Sequence, residues 1–95
     1  MQKTIVCNMS KKYAVMLFDT EVNLGASIHP NRWVNVENKY FDNGAEALHY
    51  YTHSGSQFSE IIDAEDTYEL QCKMGEMILN YRDEEWLNKN VYPRI

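Results

Sequence analysis

The chain has 95 residues, 44% of them hydrophobic, 24% charged and 13% aromatic, with four Gly and two Pro, a balance that excludes disordered, collagen-like and low-complexity classes. Fourteen acids against nine bases give a net charge of −5, which argues against direct nucleic-acid binding, because phosphate contacts need clustered Lys and Arg. No apolar run approaches the ~18–20 residues of a membrane span, and the length suits one domain over residues 1–95.

The first forty residues favour strands. Thr4-Ile5-Val6-Cys7 is β-prone, Asn8 to Lys12 has turn polarity, and Tyr13-Ala14-Val15-Met16-Leu17-Phe18 is apolar on both faces, as a central strand is. Together they predict an antiparallel hairpin. Asp19 to Pro30 carries Asn23, Gly25 and Ser27 and is expected to be mostly loop. Arg32 to Asn38 alternates, with Trp33, Asn35 and Glu37 on one face, and predicts a third strand.

The second half changes character. Asp42-Asn43-Gly44 suits a helix start, Ala45 to Tyr51 is helix-compatible, and Ser54-Gly55-Ser56 ends it. Phe58 to Ile62 fits either a short strand or the start of the next helix. Asp63-Ala64-Glu65-Asp66 resembles a cap followed by first-turn acids, and predicts a long helix to about Tyr81 or Lys89. The expected fold is therefore α+β: a small antiparallel sheet of about three strands packed against a short helix and a long C-terminal helix.

Winding residues 61–86 as one helix gives two apolar stripes. One holds Ile61, Ala64, Tyr68, Cys72, Gly75, Leu79 and Trp86; the other holds Leu70, Met74, Met77, Ile78 and Tyr81. A helix lying on a sheet needs one stripe. Either the short helix covers the second, or Met74, Met77, Ile78 and Tyr81 meet a second copy in a homodimer. Gly75, costly in a helix, hints at close packing. Between the stripes run Glu65, Asp66, Glu69, Glu76, Asp83 and Glu84. Residues 60–85 hold nine acids and two bases, while residues 1–40 hold three acids and five bases. That asymmetry suits either a solvated helix face or a surface steered onto a basic protein partner.

Catalytic parts are sparse. His49 and His53 stand four residues apart on a predicted helix and could share a metal, but Tyr50 occupies the place where the zinc-protease pattern has Glu. Cys72 falls on an apolar stripe and Cys7 in a predicted strand, where thiols are expected to be buried and inert. No nucleophile elbow, phosphate-cradling loop or CxxC pair occurs. Two cysteines 65 residues apart make no disulfide framework, and the N-terminal pattern does not suit a signal peptide, so a cytoplasmic location is expected.

The expected function is a non-catalytic protein-binding module: an acidic regulator or inhibitor of a basic partner, such as a nucleic-acid-binding protein, acting without cofactor or metal and as a homodimer. Small acidic proteins of phages and mobile elements that inhibit host machinery offer an analogy of size and charge. The alternatives are a small metal- or ligand-binding protein or minor enzyme using His49 and His53, and a structural assembly subunit.

Overall fold

The structure, a computed structural model, describes residues 11–22, 25, 32–54 and 58–94. The predicted strand Thr4–Cys7, its turn and most of the predicted loop lie outside those residues. Strand β1 (Tyr13–Thr20) is flanked by β2 (Trp33–Phe41) and β3 (Phe58–Asp63) in a three-stranded antiparallel sheet of order β2-β1-β3. Both sides of β1 are thus paired, β2 along its whole length and β3 over Tyr13–Phe18. The five-residue run Ala14–Phe18 is buried throughout, as a strand apolar on both faces requires.

Alternation along β1 sends its side chains into two separate cores. Val15 and Leu17 meet Ala47 of helix α1 (Gly44–His53), with Tyr13, Phe41, Tyr50 and Tyr51 packed around them. Ala14, Met16 and Phe18 face the opposite way, against Leu70 and Met74 of helix α2 (Thr67–Asn80) and Leu87 of helix α3 (Glu84–Asn90). The sheet is therefore covered on both faces, α1 on one and α2 with α3 on the other. A short 3₁₀ turn, Tyr92–Arg94, ends the described chain.

Local chemistry sets each boundary. Asn43 caps α1 by accepting from the Ala45 and Glu46 amides, and Gly44 leaves room for the Tyr13 ring, which an added Cβ would meet at 3.3 Å. Phe58–Asp63 is strand, because its outer residues pair with Tyr13 and Phe18. The long predicted helix accordingly begins later and divides in two. Asp66 caps α2 by accepting from the Glu69 amide, and Asp83 caps α3 by accepting from the amides of Glu85 and Trp86.

In β2 the alternation breaks at a bulge. Leu17 opposes Glu37 and Phe18 opposes Asn35, leaving Val36 as the extra residue. Trp33 and Asn35 consequently share the α2 face of the sheet, whereas Glu37 falls on the α1 face, correcting the single face expected for all three. The Asn35 amide donates to the Leu17 carbonyl and to Asn38 Oδ1, which satisfies backbone that the bulge leaves open.

Candidate interaction surface

The two helical stripes are arranged opposite to the expectation that one of them lies on the sheet through Tyr68, Cys72 and Leu79. Leu70, Met74 and Tyr81 are buried, and Met77 and Ile78 pack half-buried beside them. Tyr68 and Leu79 are instead 77% and 66% exposed, and Cys72 and Gly75 are exposed between them. The expected self-association stripe, Met74, Met77, Ile78 and Tyr81, is thus the sheet-facing one: Met74 and Tyr81 are buried against the sheet, and Met77 and Ile78 are half-buried beside them. The reason is volume: Leu70, Met74 and Tyr81 fill the space above Met16 and Phe18, whereas Gly75 and Cys72 offer little apolar surface to bury.

Tyr81 shows why that stripe belongs inside. Its ring stacks on Phe18 with centroids 3.8 Å apart and an interplanar angle of 2°, and meets Trp33 edge-on at 5.5 Å. Its hydroxyl donates to Glu60 Oε2 at 2.6 Å, and Arg94 Nη2 donates to the same oxygen at 3.0 Å. Burial and the Glu60 hydrogen bond push the Tyr81 hydroxyl far above its ordinary range. Burial alone would lower Arg94, but the hydrogen bond and charge of Glu60 leave it raised. This cluster ties the C-terminal turn to β3 and leaves no free acid–base pair.

The outer face of α2 is the prominent surface that remains. Tyr68, Cys72, Gly75 and Leu79 follow one another at steps of four, three and four residues, so they form one row along three helical turns. An added Cβ at Gly75 would touch nothing within 4 Å, so the row is open at its centre.

The six predicted acidic-face residues divide into two groups around this row. Asp66 and Asp83 are N-caps. Glu69 accepts from the Glu65 amide at 2.9 Å and pairs with Lys73 at 3.5 Å, which itself donates to the Asp63 carbonyl. Those three carboxylates are engaged in holding α2 and α3. Glu65, Glu76 and Glu84 are exposed, and among the described residues their carboxylates have no hydrogen bond or ion pair. Helical spacing sets Glu76 on the flank of the Tyr68–Leu79 row that faces β3, beside Ile61 and Met77.

His49 and His53 do come together, with ring centroids 4.3 Å apart. His53 Nδ1 lies 2.9 Å from the His49 carbonyl, and both residues are exposed. Among the described residues no group of three His, Cys, Asp or Glu side chains could hold a metal ion. Cys7 lies outside the described residues, and Cys72 is exposed rather than buried. No described helix is long and apolar enough to cross a membrane. A hollow of about 480 Å³ is bounded in part by Lys11, Tyr40, Thr67 and Gln71, and another of about 350 Å³ lies near Arg32, Trp33, Ile78 and Arg82. Among the described residues neither brings a nucleophile beside a general base.

Periodicity finds the Tyr68–Leu79 row as a stripe but not that it faces outward, and it starts the helix too early, inside strand β3. The pair Asp66 and Glu69, a cap and an acid three residues on, was the available signal for a start at 67. No family model matches the chain, and no curated protein or solved structure matches it.

Proposed function

We propose that this chain is a non-catalytic protein-binding module whose outer α2 face docks a basic, apolar-centred surface of another protein. The observation that supports this most is the row Tyr68, Cys72, Leu79, apolar and outward although the same helix already buries a complete stripe on the sheet. Large apolar side chains aligned on an exposed face characterise interaction sites more than single scattered ones do. The free carboxylates of Glu65 and Glu76 select the partner's charge, since like charges at the rim are rejected and opposite ones speed association. Gly75 admits close approach at the centre of the row. A regulator or inhibitor of a basic partner fits this arrangement, and no cofactor is needed for it.

The test uses amphipathic helical peptides with a common apolar face and either Lys/Arg or Glu along its borders. The basic set is expected to bind, to weaken as salt rises, and to lose binding to Leu79→Glu while Glu76→Lys reduces it. Equal binding of both sets, or binding indifferent to Leu79→Glu, would contradict the proposal.

A further inference from the structure

Strand β2 is the longest of the three and lies at the sheet edge, paired inward with β1, while no described residue pairs with its outer side. An uncovered edge of this kind is a template for another strand. Its exposed side chains carry a pattern: Val36 and Tyr40 are 48% and 41% exposed, and Glu37 and Lys39 stand between them with opposite charges. Among the described residues Glu37 has no ion pair, and the Lys39 ammonium lies 5.8 Å from the Tyr50 ring centroid with no carboxylate partner.

We propose that β2 pairs with β2 of a second copy, antiparallel about a two-fold axis through Asn38, joining two sheets into one of six strands. About that axis Glu37 opposes the second copy's Lys39 and Lys39 opposes its Glu37. The register is specific. Moving the axis by one residue shifts the pairing by two and keeps the faces matched, but it sets Glu37 against Glu37 or Lys39 against Lys39. Only the axis at Asn38 turns both charged residues into opposite-sign pairs.

The surroundings accommodate a second copy. The stretch Glu37–Phe41 pairs regularly with β1, and the bulge falls at Val36, just before the Glu37–Lys39 segment that the axis brings together. Helix α2 packs against β3 and β1. This pairing uses neither Tyr68 nor Leu79, so it is independent of the docking surface on α2.

The experiment measures molar mass across a wide concentration range by sedimentation, with the fold of each variant checked by circular dichroism. A concentration-dependent dimer is expected. Lys39→Glu and Glu37→Lys should each weaken it roughly tenfold, by converting two attractive cross-strand pairs into repulsive ones. The double variant Glu37→Lys/Lys39→Glu restores opposite-sign pairs and should recover the dimer. A monomer at every concentration overturns the proposal, as does a dimer that ignores both single reversals or a double variant that fails to recover. A dimer lost with Leu79→Glu but unaffected by the reversals overturns it too, and assigns self-association to the outer face of α2.

Discussion

Tyr81 joins three parts of the chain at one side chain: its ring lies on Phe18 of β1, its hydroxyl on Glu60 of β3, and Glu60 in turn holds Arg94. Removing only the hydroxyl with Tyr81→Phe keeps the stack and deletes a hydrogen bond to a charged acceptor, a loss expected to cost about 1.5–3 kcal/mol in denaturant unfolding at pH 7. The pH dependence follows from the raised hydroxyl. Between the ordinary value of 10.0 and its folded value the native state holds a proton that the unfolded state releases, so stability is complete below pH 10 and falls as pH rises above it. Tyr81→Phe should therefore flatten the alkaline loss of stability. An alkaline unfolding profile with the same slope in both proteins would contradict this assignment.

At the scale of the element, α2 has a working side and an outward side, and stability measurements separate them. Leu70→Ala and Met74→Ala should each cost about 2–5 kcal/mol, as deletions in a packed core do. Leu79→Ala should stay within about 0.5 kcal/mol, as surface changes do. Asp66→Ala and Asp83→Ala, which remove caps, should each cost about 1 kcal/mol, whereas Glu76→Lys should be nearly silent. Gly75→Ala is expected to stabilise the helix by about 1 kcal/mol, because nothing crowds the added methyl. If Gly75 serves close approach, the same variant binds a partner less well.

The fold class was legible in the residues, with β1 from its doubly apolar run and α1 from Asn43 and Gly44, whereas Phe58–Ile62 was open between strand and helix until its pairing with β1 decided it. The side of α2 was not legible, because Tyr68 and Leu79 are as apolar by type as Met77 and Ile78. Periodicity reports that stripes exist, and only the cores built by Met16 and Phe18 decide which one is filled. The β2 bulge was equally hidden, since it depends on register against β1 rather than on anything local to Val36. The sequence placed six acids between the stripes but could not distinguish the caps Asp66 and Asp83 from the exposed carboxylates of Glu65 and Glu76.

Over the whole molecule, the acids concentrate between residues 60 and 85 and the bases in the first forty residues, giving the chain an uneven field. Under the proposed function such a field would steer a basic partner toward α2 over about one Debye length, so association should slow markedly between low and physiological salt while dissociation changes less. The described charges also leave β2 the one strand whose exposed side chains carry both signs in adjacent positions, and there the expected neighbour is another copy. The two proposals thus rest on surfaces of different chemistry: the acidic, apolar helix face for a basic protein, and the self-complementary strand edge for a dimer.

The most direct test of the docking surface is the rate at which a thiol reagent modifies Cys72, followed by mass spectrometry of the intact, folded protein and its peptides. Cys72 sits within the exposed row between Tyr68 and Leu79. Modification should be fast in the free protein and slow strongly when a basic amphipathic peptide is bound at saturation. A thiol that reacts slowly in the free protein, or one that reacts as fast with the peptide bound as without it, would contradict the assignment of this face.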